Sequence, residues 1–152
     1  MIERKKNQKK ERPELKTFSV PFSLEEIKED IIVTNNSPSK PSKEEIINQA
    51  INFHLQGNIS EAKKYYQNFI NQGFKDHRVF SNYGVLLKEI GKSEEAELSY
   101  RKAIEIKPDY ADAHSNLGVL LRDVGKLKEA ELSTRKAIEL KPDLAKAYYS
   151  LS

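Results

Sequence analysis

A 34-residue segment recurs along this chain without a gap. His77–Tyr110 (HRVFSNYGVLLKEIGKSEEAELSYRKAIEIKPDY) and Ala111–Leu144 (ADAHSNLGVLLRDVGKLKEAELSTRKAIELKPDL) are identical at 21 of 34 positions. One period earlier, Lys43–Asp76 keeps the register through only six identities: Asn48, Gly57, Glu61, Ala62, Tyr66 and Ile70. One period later, Ala145–Ser152 opens a fourth unit. A period of this length marks one supersecondary unit that cannot bury its apolar face alone and stacks on its neighbours.

Each unit reads as two helices. In the third, Ala113, Leu117, Leu120, Leu121 and Val124 recur at helical spacing. Gly125 is placed to end that helix in a left-handed turn. Leu127, Ala130, Ala137, Ile138 and Leu140 form a second stripe, and Pro142 blocks its continuation. Gly91 and Pro108 hold the same places one unit earlier. Gly84 and Gly118, with Ala96 and Ala130, leave room for close helix contact. Glu97 with Arg101 and Glu131 with Arg135 stand at i, i+4; such pairs contribute only ~0.2–0.5 kcal/mol each and read as a solvated face.

The period, with Leu117-Gly118, Gly125, Ala130, Ala137 and Pro142, resembles the tetratricopeptide repeat (TPR). In the second unit Tyr83, Gly84, Gly91, Ala96, Tyr100, Ala103 and Pro108 match the same pattern. The resemblance implies an all-α TPR solenoid, with antiparallel helix pairs stacked in a right-handed superhelix. The expected array spans 43–152, as units 43–76, 77–110 and 111–144 and a partial unit 145–152. The first unit departs from the pattern. Gln49 replaces a large apolar residue, Phe69 a small one and Phe74 the proline, substitutions a terminal unit with one free side tolerates. Thr134 stands where Tyr66 and Tyr100 do, so slightly looser packing is expected there.

Residues 1–22 are expected to be a disordered basic tail. Met1 to Lys16 holds seven Lys/Arg and three Glu with few large apolar residues, too few to offset the entropy of ordering. Residues 23–42 read as a short amphipathic helix and a Ser/Pro linker. Ser23 with Glu26 forms a capping box, and Leu24, Ile27, Ile31 and Ile32 share a face. Ser42 with Glu45 forms a second box, which starts the array.

The remaining composition excludes more than it suggests. Lys+Arg 26 against Asp+Glu 23 leaves a net charge of +3, too even for nucleic acid or a membrane surface as the main partner. The basic stretch from Arg4 to Arg12 lacks the interleaved aromatics that base stacking wants. Cysteine is absent, which removes disulfides, thiolate chemistry and Cys-ligated zinc. No apolar run approaches the ~20 residues of a membrane span. The basic N-terminus is not followed by the apolar region of a signal peptide, so a cytoplasmic location is expected.

No active site is legible. Gly91-Lys92-Ser93 resembles the end of a P-loop, but Leu86 stands where the motif needs its first Gly, and a helix precedes it instead of a strand. His54, His77 and His114 lack the i, i+4 spacing of a helical zinc pair. His114 holds the place of Phe80 and reads as a boundary ring. Carboxylates alternate with Lys and Arg, and no Ser lies in GxSxG. No catalytic residue, metal or cofactor is expected.

One constellation does point to function. Asn48, Asn82 and Asn116 fall at the same place in all three units, although Asn is disfavoured mid-helix by up to ~0.7 kcal/mol against Ala. Repeat ancestry accounts for Asn82 and Asn116, but less well for Asn48, whose unit has diverged almost everywhere else. An Asn amide can donate to a peptide C=O and accept from a peptide N–H at once. Layers ~10 Å apart would meet roughly every third residue of an extended peptide rising ~3.3 Å per residue. Ile51, Val85 and Val119 follow on the same face as an apolar floor, then His54, Lys88 and Arg122 as a basic edge.

This arrangement is similar to the TPR superhelix of O-linked N-acetylglucosamine transferases, most closely over Ala111–Leu117. In TPR superhelices the first helix of each pair lines the concave groove. In those enzymes the repeats recruit protein substrates and a separate domain catalyses. A carboxylate clamp, the other known groove mode, wants Lys and Arg beside the Asn; Ile47, Ser81 and Ser115 stand there and disfavour it. The chain is therefore expected to be a non-catalytic scaffold for extended peptide segments of protein partners. The rival expectation is the substrate-recruiting part of a larger or split glycosyltransferase or other transferase. The apolar residues Leu144, Ala147, Tyr148 and Leu151, with Leu121, Val124 and Leu127, are further expected to support self-association through the C-terminal end.

Overall fold

The computed structural model describes residues 39–144, and six α-helices follow one another there. They are α1 (Lys43–Leu55), α2 (Ile59–Asn71), α3 (His77–Glu89), α4 (Ser93–Ile106), α5 (Ala111–Asp123) and α6 (Leu127–Leu140). The tail over 1–22, the short helix expected within 23–42 and the partial unit 145–152 lie outside the described residues. Of the linker, 39–42 is described. There the Ser42 hydroxyl accepts from the Glu45 N–H at 3.2 Å, and the Glu45 carboxylate accepts from the Ser42 N–H at 2.6 Å, the reciprocal box that starts α1.

The turns inside the three units are built alike. After α5, the Gly125 N–H donates to the Arg122 C=O at 3.0 Å and the Lys126 N–H to the Leu121 C=O at 2.8 Å. This pair of bonds closes the helix when the residue after the cap adopts a left-handed conformation. Gly125 does so, with φ of 81°. After α3, Gly91 and Lys92 repeat both bonds onto Lys88 and Leu87. The chain therefore reverses direction at the same point of each period, and the paired helices lie against each other.

Packing follows the stripes. α3 buries Val79, Tyr83, Leu86 and Leu87 against Ala96, Tyr100 and Ala103 of α4. α5 buries Ala113, Leu117, Leu120 and Leu121. Helices pack most extensively within a unit, and α4 then packs on α5. The first helices also touch one another, α1 with α3 and α3 with α5, so their outer faces adjoin along the stack. In the divergent first unit, Phe69 is buried, and its ring lies 5.2 Å from that of Phe74. Two of the three residues that break the repeat pattern thus fill one corner together.

Three expectations about the third unit are corrected. Leu121, placed on the open side from its sequence, is fully buried, because it lies four residues on from Leu117 on the inward face. Leu127, assigned both to the second stripe and to the open edge, does not belong to the buried stripe: it is 65% exposed at the first turn of α6. The looser packing expected at Thr134 is a mixture of closer and more open contact. The short side chain lets the α6 backbone approach Gly118, and it leaves a recess to one side.

Candidate functional site

Residues three apart on a helix share a face. Asn48, Ile51 and His54 on α1, Asn82, Val85 and Lys88 on α3, and Asn116, Val119 and Arg122 on α5 therefore form three parallel columns. Asn48 is exposed, and Asn82 and Asn116 are half-buried. None of the three amides has a hydrogen-bond partner among the described residues. Ile51 and Val85 are half-buried against the core, and Val119 is half-buried on α5. Val85, Lys88, Asn116 and Val119 meet in one concavity of about 350 Å³, which Glu89 and Tyr100 complete.

The edge expected to be basic is largely charge-neutralised. His54 Nε2 lies 3.1 Å from Glu89 Oε2, and Lys88 Nζ lies 2.8 Å from Asp123 Oδ2. The residue after each cation position is acidic in the second and third units, so each cation meets the carboxylate of the unit that follows. Glu89 and Asp123 stand in register in the sequence, and this signal was available before the structure. Arg122 differs from the other two. Among the described residues its carboxylate partner is its neighbour Asp123, at 3.7 Å, and its side chain is 62% exposed.

Tyr66 and Tyr100 stand behind the columns. Burial, followed by the nearby Glu89 charge, pushes both phenols up to about 12. They stay neutral and act as packing groups. The Tyr66 hydroxyl is 3.4 Å from His54 Nδ1. Ile47 and Ser81 are buried, so the position beside the groove Asn turns inward and does not bear on a clamp.

The other sequence candidates resolve into structure. Gly91-Lys92-Ser93 is the turn into α4, and Lys92 pairs with Glu95. The His114 ring is half-buried, with Nε2 2.8 Å from the Pro108 carbonyl oxygen. Among the described residues no group of three or more His, Cys, Asp or Glu could hold a metal ion. Among them, too, no helix is long and apolar enough to cross a membrane.

Inter-unit ion pairs give the fold a pH dependence. Burial pushes the Asp76 carboxyl up, but hydrogen bonds from the Arg78 side chain and backbone outweigh it, and the net shift is downward. Glu97 is lowered by Lys126 and, despite some burial, by Arg101; Asp123 is lowered by Lys88. A carboxylate with a depressed folded-state pKa stabilises the fold above its unfolded pKa, and that stability is lost as pH falls through the folded value. Urea midpoints are therefore expected to fall most below about pH 4, the unfolded carboxylate range, after a smaller decline below about pH 6.5 from His77, whose imidazole burial holds below its usual range. Asp76→Asn should reduce that acid slope; an unchanged slope would remove Asp76 from the explanation.

Stacked helical hairpins with a continuous inner face and no strand among the described residues define a helical-repeat protein. Residues 84–144 are tetratricopeptide repeats: 84–125 match the family model for the TPR repeat and 111–144 that for the tetratricopeptide repeat. No curated protein matches the sequence. Among solved structures, the chain is similar to the second TPR of Spaghetti (RPAP3) bound to the HSP90 peptide SRMEEVD. The TM-score is 0.60 at 24% identity, covering 65% of this chain and 94% of that one. It is also similar to MamA, with a TM-score of 0.62 at 23% identity over 69% of this chain. That match spans 61% of MamA. At these identities the likeness establishes the fold.

Proposed function

We propose that this protein is a non-catalytic interaction scaffold that binds extended peptide segments of a protein partner along the face of Asn48, Asn82 and Asn116. The observation that carries the reading is the set of three amides in register, none buried and none hydrogen-bonded among the described residues, beside half-buried Ile51, Val85 and Val119. An unpaired amide in a helix interior gives nothing to folding, and it offers a donor and an acceptor to a peptide backbone. The peptide bound to the similar TPR domain of Spaghetti supports a peptide as ligand class. Backbone recognition makes the groove broadly tolerant of sequence.

The double variant Asn82→Ala, Asn116→Ala tests this. Each amide that loses a peptide hydrogen bond weakens binding by about 0.5–1.5 kcal/mol. Together they should reduce affinity for unstructured peptides roughly tenfold or more by fluorescence anisotropy. Thermal stability should stay level or rise, because Ala is the better helix former. Unchanged affinity in a folded double variant would rule out the ladder.

A further inference from the structure

The third unit differs from the second at one place that matters for recognition. In the second unit the Tyr100 ring covers Gly84 so closely that a Cβ there would lie 2.6 Å from the ring edge. In the third unit the covering residue is Thr134, and the phenol ring has no counterpart among the described residues. A recess of about 330 Å³ remains, with Gly118, Ala130 and Thr134 among its lining, and Val119, Leu127 and Arg122 at its lip. Val119 also lines the concavity shared with Asn116, so the recess adjoins the face of the proposed groove.

The lip carries a cation with little to neutralise it. Arg135 is held by Glu131 at 2.7 Å, and Lys88 already occupies Asp123 at 2.8 Å. Arg122 is left with the 3.7 Å contact to that same Asp123. The geometry points to a specificity pocket for a partner peptide bearing an aromatic side chain, for which the recess beside Thr134 leaves room, and an acidic side chain two residues away. The two-residue spacing follows from an extended backbone, in which alternate side chains face the same way. The inference rests on the peptide-binding reading, because the Asn column would hold the backbone that delivers both side chains. The chain's own residues 145–152 are the competing occupant. They offer Tyr148 and Tyr149, but their one charged side chain, Lys146, has the same sign as Arg122.

The probe is a fluorescein-labelled peptide, GSEGFGEGSG, with both ends blocked, followed by anisotropy on the full chain. Acidic residues flank the Phe on both sides because either chain direction is allowed. Replacing Phe by Ala in the peptide should weaken binding about tenfold, the scale of burying one aromatic side chain. Replacing both Glu by Gln should weaken it about threefold, and added salt should erase that difference. In the protein, Thr134→Tyr should abolish the Phe preference by filling the recess. Arg122→Glu, at an exposed side chain, should reverse the acid preference even if the first variant folds poorly. Equal binding of all peptides, still lost with Asn82→Ala, Asn116→Ala, would overturn the pocket and leave the ladder standing. No binding of any peptide would overturn both. A Phe preference that emerges only after Tyr148→Ser, Tyr149→Ser would assign the recess to the chain's own segment and overturn the partner proposal.

Discussion

Tyr100→Ala is expected to destabilise the fold by about 3–5 kcal/mol, the range for deleting a large buried aromatic side chain. Tyr100 is 1% exposed, and its ring lies against Gly84, where there is no Cβ to follow the retreating side chain. The cavity would open between α3 and α4 in the central unit. Stability in a stacked array is a sum of unit terms and neighbour interfaces, so damage there reaches both flanking units. For a domain of this size each kcal/mol moves Tm by about 4–8 °C, so a fall of more than ten degrees is expected by circular dichroism. Tyr100→Phe is the control. The hydroxyl has no hydrogen-bond partner among the described residues, so its removal should cost under about 1 kcal/mol. A drop of two or three degrees for Tyr100→Ala would show that the ring is not part of the core.

The elements legible in the sequence were those fixed by chemistry local to one period. Gly125 and Gly91 announce turns because few other residues accept positive φ, and both turns form with φ near 80°. Ser42 and Glu45 announce a helix start because the two can satisfy each other, and they do. The register of Asn48, Asn82 and Asn116 was visible as a repeated helix-disfavoured residue, and among the described residues none of the three amides is hydrogen-bonded. The misread features depend on what lies across an interface. Leu127 has the spacing of a buried residue, but it sits on the lip of a recess where no described side chain covers it. His54 and Lys88 look unpartnered until the carboxylates one unit on are brought beside them. Thr134 signals a lost ring, but only the helix spacing shows how the loss divides between closer approach and open space.

That division sets the cost of adding atoms at Gly118. A Cβ there would lie 2.5 Å from Thr134 Oγ1, 3.2 Å from the Thr134 backbone nitrogen and 3.3 Å from the Ala130 carbonyl oxygen. At Gly84 the three nearest atoms belong to the Tyr100 ring. A side chain can rotate away, but a helix backbone yields only by moving the whole helix. Gly118→Ala gains up to about 1 kcal/mol of helix propensity, which offsets part of the clash. Gly118→Val adds two more methyl groups with little propensity gain, and overpacking of this kind costs about 1–3 kcal/mol or more. We expect Gly118→Val to lose about 3 kcal/mol in urea unfolding. Adding Thr134→Ala removes the hydroxyl and should restore only part of that loss, because the backbone contacts remain. In the second unit the corresponding pair, Gly84→Val with Tyr100→Ala, should show nearly full relief of the clash, since there the three nearest atoms all belong to the ring. The interaction terms of the two double-mutant cycles would then differ in size. If Gly118→Val unfolds at the same urea concentration as the parent, α5 and α6 have room to part, and the close approach at Thr134 contributes nothing to the fold.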